Sequence, residues 1–235
     1  MKHFLFITFI LLLTACTNVQ NHSSEQSDPQ VITSSETKNE DKTNEPNVAN
    51  EQEAVDEDID YTKFFMPNES TAYFLGEGNE FATFTIHTKW LSERYVALVE
   101  NNGGAVTLKI YRVMDEYNKI DKVYDQVIEE LPNNVEYPSI SELDSLPMLE
   151  TYLTGPIEVG TVINGWEIVQ VDVTLDTPYQ TFDHVFVLEE TSEDFINRKY
   201  FALGYGEVKR ESIMKIDGEE DFVVTSVLEK IETAK

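Results

Sequence analysis

Few side chains in this chain are equipped for chemistry. Of its four histidines, only His87 and His184 fall in the aromatic-rich part of the sequence, each inside a strand-like run and far apart. No HExxH, CxxC, GxSxG or Walker pattern occurs. The single cysteine, Cys16, lies near the N-terminus, so no intrachain disulfide can form and the body has no thiol nucleophile. Carboxylates pose the opposite problem. Asp and Glu number 44 against 17 Lys and Arg, for a net charge of −27. An acid/base pair for glycoside chemistry cannot be singled out from that surplus. Asp115, Asn118 and Asp121 place oxygen ligands at short spacing, as do Asp217, Glu219 and Asp221. Neither run follows the order of an EF-hand loop; the first lacks its central glycine and closing glutamate. The sequence therefore assigns no catalytic residue, no cofactor and no metal, and favours a role without catalysis.

One local pattern stands out. Gly76-Glu77-Gly78-Asn79-Glu80-Phe81-Ala82 sets two glycines around a glutamate just before a strand-like run. It reads as a hairpin turn or bulge, with the glycines supplying unusual backbone angles. The alternative is a loop that touches a ligand. Trp90, Trp166, Tyr95 and Phe186 are candidates for core or cavity positions, with core favoured because large aromatics dominate ordinary cores.

What positions these residues begins outside the body. Met1-Lys2-His3 is a short basic start, and an apolar run follows from Phe4 to Leu13. That run is too short for a bilayer, which needs about 20 residues, and has the length of a signal-peptide core. Leu13-Thr14-Ala15-Cys16 resembles the lipobox of bacterial lipoproteins. In that family the cysteine receives a diacylglyceryl group and a dedicated peptidase cuts before it. The resemblance implies a signal peptide over residues 1–15 and a lipidated mature N-terminus at Cys16. Two acyl chains suffice for stable anchoring, at about 0.8 kcal/mol per buried methylene.

Residues 16–60 form a second region. Beyond Cys16 it holds twelve Asp and Glu, two Lys (Lys38 and Lys42) and no Phe, Trp or Tyr. Such a composition buries too little apolar surface to offset chain entropy, so an acidic, disordered linker is expected. Its root-mean-square span would be roughly 35–40 Å, extended further by charge repulsion. Residues 61–235 are one domain's worth of chain and carry the remaining 32 acids and 14 bases. Nucleic acid is excluded as a partner by that charge, because phosphate binding needs clustered Lys and Arg.

The body alternates with the period of strands. Phe84 and Ile86 alternate with threonines, and residues 94–100 end in Asn101-Asn102-Gly103-Gly104, a hairpin signal. Residues 166–175, 182–188, 199–203, 207–216 and 221–228 repeat the theme, separated by Thr177-Pro178-Tyr179, Gly204-Tyr205-Gly206 and Asp217-Gly218. Short turns between consecutive strands imply a mainly β fold. The expectation is an antiparallel meander of about nine or ten strands that curls into a half-barrel or barrel. Residues 124–149, with three prolines, break the pattern; they form a long loop with one helical turn near Ser139. The chain divides weakly near Glu130 and Gly155 without a convincing repeat.

The glycine-rich segments at 76–82 and 101–104, with Pro156-Ile157-Glu158-Val159-Gly160-Thr161, Thr177-Pro178 and Gly204-Tyr205-Gly206, resemble landmarks of uncharacterised all-β lipoproteins of Gram-positive bacteria. In those proteins a glycine often follows the Thr-Pro, where this chain has Tyr179. The resemblance implies a lipid-anchored location at the extracytoplasmic face of the cell membrane and brings no activity with it. The expected role is a binding or interaction domain for cell-wall material, an envelope protein or an apolar ligand. Two alternatives stand beside it: a carboxylate-based enzyme or accessory acting on wall polymers, and an acidic spacer or cation buffer.

Overall fold

A computed structural model describes residues 59–129 and 134–233. They belong to one compact unit, Ala54–Lys235. The signal peptide, Cys16 and the linker up to residue 58 lie outside the described residues.

Twelve antiparallel strands form one sheet: β1 (Ser70–Glu77), β2 (Phe84–Trp90), β3 (Tyr95–Asn101), β4 (Val106–Met114), β5 (Lys119–Ile128), β6 (Glu150–Thr154), β7 (Val162–Ile163), β8 (Trp166–Asp176), β9 (Thr181–Thr191), β10 (Phe195–Ala202), β11 (Gly206–Met214) and β12 (Phe222–Thr233). The sheet order is β6-β5-β4-β3-β2-β1-β12-β11-β10-β9-β8-β7. Two six-stranded meanders thus join where the first strand pairs with the last, Ala72 opposite Ile231. The sheet curls into a nearly closed barrel. Its two edges, β6 and β7, meet without ladder pairing, and the Asn164 side chain donates to the Thr151 carbonyl at 2.5 Å across that seam.

The mainly β barrel matches the reading of the sequence, with two differences in strand content. The count rises to twelve because the short β6 and β7 carry too few residues to show a period. β1 and most of β5 occupy stretches given no strand reading, β1 runs two residues into the 76–82 turn, and the 124–149 loop begins only after Ile128. The expected hairpins fall at the expected residues: Asn102 donates to Ala105 between β3 and β4, and Asp217-Gly218 turns β11 into β12. The alternation of 166–175 survives only in part. Bulges at Gln170 and Val173, with Asp172 and His184 both at positive φ, leave Ile168 the one fully buried residue of β8.

Alternation sends one face of each strand into the barrel. Ala72 and Phe74 of β1 meet Ile86 and Phe84 of β2, and the two phenyl rings stack 4.3 Å apart. β3 is buried on both faces. Val96 and Leu98 point inward, whereas Tyr95, Ala97 and Val99 lie beneath the long connection that follows β5. That connection carries α1 (Ile140–Ser145), which begins with a capping box: Glu142 N–H donates to Ser139 Oγ at 3.3 Å and Ser139 N–H to Glu142 Oε2 at 2.7 Å. A six-residue helix is not stable alone. Leu143, completely buried against Val99 and Ile110, holds it to the sheet. Asp144 adds hydrogen bonds from the Tyr95 hydroxyl and Arg94, both at 2.9 Å.

Candidate functional site

The barrel closes at one end and is hollow toward the other. Residues 61–66 form the floor. A 3₁₀ turn, Tyr61–Phe64, is capped by Asp60, whose carboxylate accepts from Thr62 N–H at 2.9 Å. Asp115 accepts from Tyr61 N–H at 2.7 Å, and Gly204 N–H donates to Lys63 carbonyl at 2.7 Å. Gly206 is required here. Its φ is +77°, and a Cβ would stand 2.4 Å from the Phe64 carbonyl oxygen. Above the turn the aromatics interlock: Phe64 with Phe186 at 5.6 Å, Phe65 with Tyr111 at 5.4 Å, Tyr111 with Tyr152 at 4.6 Å.

Above that floor lies a cavity of about 400 Å³. Ala72, Phe84, Ile86 and Leu98 line one wall, and Tyr111, Tyr152, Trp166 and Lys199 the other. The mouth is framed by Asn79, Phe81 and Asn102. The segment before β2 folds back over it, because Ser226 Oγ donates to the Ala82 carbonyl at 2.6 Å and Gly76 N–H to Thr83 Oγ1 at 3.1 Å. The distinctive 76–82 pattern is therefore a bent strand connection that also lines a cavity. Phe81, half exposed, sits against Gly104 of the neighbouring hairpin.

Charged groups project into this interior. Arg210 of β11 reaches Glu100 of β3 at 3.2 and 3.3 Å, across strands that are not neighbours, and pairs with Glu207 on its own strand at 2.5 Å. Lys109 approaches Glu100 at 3.5 Å. Burial alone would raise the Glu100 carboxyl, but Arg210 and Lys109 outweigh it and hold the group below its ordinary range. Burial likewise tends to lower Arg210, yet Glu207 and Glu100 hold its guanidinium well above normal. Lys199 differs. Its ammonium lies 4.6 Å from the centre of the Trp166 ring and forms no ion pair or hydrogen bond among the described residues. Burial lowers its pKa, and nearby Glu207 only partly opposes that. Burial pushes the Tyr111 and Tyr152 phenols well above their usual range, so both stay neutral. Thr88 Oγ1, fully buried beside the cavity, has no hydrogen-bond partner among the described residues.

The residues singled out from the sequence scatter. Trp166 lines the cavity, Phe186 and Trp90 belong to the floor core, and Tyr95 lies outside the barrel under α1. His87 contacts Thr71 Oγ1 at 3.2 Å and stands 3.7 Å from Glu69. His184 pairs with Asp172 in the open, on the bulged strands. Asp115 caps the floor turn, and Asn118 takes a left-handed turn conformation. Asp121 is buried between Lys119 at 2.9 Å and Arg112 at 3.6 Å, so this trio is spent on structure. Asp217, Glu219 and Asp221 lie in the exposed β11–β12 turn. The interior charges Glu100, Lys109, Lys199, Glu207 and Arg210 were not singled out. Their signal is strand phase: each lies two residues from an inward neighbour, as Glu100 follows Leu98 and Lys109 precedes Tyr111.

No protein-family model matches the chain, and no curated protein does. Among solved structures, the chain is similar to a protein described as exported, with a YmcC-like fold, from Bacteroides fragilis NCTC 9343. The two are 14% identical; the match covers 73% of this chain and all of that one, with a TM-score of 0.41.

Proposed function

We propose that this chain is an exported lipoprotein that binds a small molecule in the lumen of its barrel. Cys16 and its acyl groups would hold it at the extracytoplasmic face of the cell membrane, and residues 17–60 would carry the barrel clear of the headgroups. The observation that carries the binding role is the cavity of about 400 Å³ above a packed aromatic floor. That volume lies in the range of small-molecule sites, roughly 300–1,000 Å³, and the mix of aromatic walls with a few convergent polar groups is their usual lining. Glu100 in the lumen is not poised as a general acid. A general acid needs a raised pKa, whereas Glu100 is held low by Arg210 and Lys109.

Native mass spectrometry of the protein released gently from its source membrane tests the reading. A bound species of defined mass is expected. A ligand-free mass, together with no uptake of small naphthalene dyes by the purified protein, would overturn it. The anchor is tested separately: Cys16→Ala should abolish acyl labelling and free the protein from membranes, and undiminished lipid incorporation would refute the anchor.

A further inference from the structure

We infer that the lumen is selective for anions, and that its ligand carries an oxyanion (carboxylate, sulfonate or phosphate) which Lys199 receives, with an apolar or aromatic body lying against Trp166 and Tyr152. The inference rests on the lumen-binding reading above and adds the chemical class of the ligand. Three observations carry it. First, the charges that line the cavity do not balance: Lys109, Arg198, Lys199 and Arg210 stand against Glu100, Glu207 and Glu211. This surplus cation sits inside a protein of net charge −27, where the exterior gives no reason to expect it. Second, the surplus falls on one residue. Glu100 and Glu207 are both engaged by Arg210, while Lys199 has only the face of Trp166. A partly buried ammonium without a counter-ion is costly, and a ligand oxyanion would remove that cost. Third, Lys199 is reachable from two sides. It lines the main cavity and also a smaller hollow of about 70 Å³ under the β6–β7 seam, which shares Tyr152 and Trp166.

The test uses two dyes that share one skeleton. Anilinonaphthalene sulfonate carries an oxyanion; phenylnaphthylamine is the same body without it. Both are titrated against the chain from Thr17 to Lys235, with energy transfer from tryptophan as the readout. The sulfonate should bind roughly ten- to a hundredfold more tightly than the neutral dye, the effect of one charge-assisted contact. Lys199→Met should remove that preference and leave the neutral dye within about twofold of its original affinity; Lys199→Arg should keep the preference. Lys209→Met makes the same charge change on the outer face and should alter neither affinity. Equal binding of the two dyes by the unmodified chain, or equal weakening of both by Lys199→Met, would overturn anion selectivity and leave lumen binding standing. Uptake of neither dye would overturn the lumen-binding reading itself. The comparison of dyes on the unmodified chain holds even where a variant fails to fold.

Discussion

Strands β10 and β11 carry two ion clusters on alternate phases of the same ladder, and Arg198 and Glu211 of the outer one also border the cavity. On the outer face Arg198 pairs with Glu189 at 2.8 Å and with Glu211 at 3.7 Å, Lys209 pairs with Glu211 at 2.7 Å, and the Tyr200 hydroxyl donates to Glu211 at 2.8 Å. Two cations meet two carboxylates, and Arg198 lies directly across from both Glu189 and Glu211 in the register. On the inner face, one residue further along each strand, Lys199 and Arg210 meet Glu100, Glu207 and Lys109 with one cation left over. The difference lies in purpose, since composition and side-chain exposure are similar. The outer set is a closed cross-strand network whose members satisfy one another. The inner set spans the lumen through Arg210 and leaves Lys199 unsatisfied, the mark of a surface arranged for something else to complete.

The largest effect should come from the residue that bridges the lumen. Arg210→Met leaves Glu100 and Glu207 facing an interior without their shared partner. Removing one member of a buried pair costs about 3–5 kcal/mol. Because 31% of the Arg210 side chain remains accessible from the cavity, the lower end, about 3 kcal/mol, is expected. Urea denaturation measures it. A loss no larger than that of the outer-face variant described last would erase the distinction between the clusters.

Acid should reach the inner cluster through Glu100. Its folded pKa is depressed below the ordinary 4.5. The stability it contributes is therefore present above that value and is lost as pH falls through the folded pKa. Glu100→Gln should start less stable than the unmodified chain at neutral pH, and the two should converge below about pH 4.5. Glu211 on the outer face is also held low, by Lys209 and the Tyr200 hydroxyl against its burial, and it remains in both proteins. Urea midpoints across the acid range decide the matter; parallel curves would show that Arg210 and Lys109 do not hold the Glu100 charge.

Removing the surplus cation should have the opposite sign. Lys199→Met takes an ammonium without an ion pair off an aromatic wall and replaces it with an apolar chain of similar length. A gain of about 1 kcal/mol is expected, the usual range when a site arranged for function is relaxed. Thermal melts without ligand check it, and a loss would mean that Lys199 serves the fold.

The strand periods and turns were legible because they are local: Phe84 and Ile86 alternate, and Asn101 to Gly104 can do little except turn. The inner cluster was hidden for a physical reason. β3 is apolar in both phases, Val96 and Leu98 on one side and Tyr95, Ala97 and Val99 on the other, so its sequence does not say which face Glu100 shares. Only residues 134–149, by covering the second face, resolve that ambiguity, and they do so through the cluster that Leu143 shares with Ile110. The pairing of Glu100 with Arg210 spans 110 residues and four sheet positions. It exists because the barrel closes, and closure is a property of the whole sheet.

The smallest effect sharpens the comparison most. Arg198→Met removes the centre of the outer cluster, as Arg210→Met removes the centre of the inner one. Glu189 and Glu211 are 20% and 14% exposed, so burial by itself does not separate the two sites. Their surroundings do. Glu211 keeps Lys209 and the Tyr200 hydroxyl after the change, and Glu189 stands on a face that meets solvent. Cross-strand and surface pairs of this kind contribute about 0.2–1 kcal/mol each. Arg198→Met should therefore cost about 1 kcal/mol, and less as salt screens the outer face. A salt-insensitive loss as large as that of Arg210→Met would mean that both clusters hold the barrel together in the same way, and the surplus charge on Lys199 would lose its contrast.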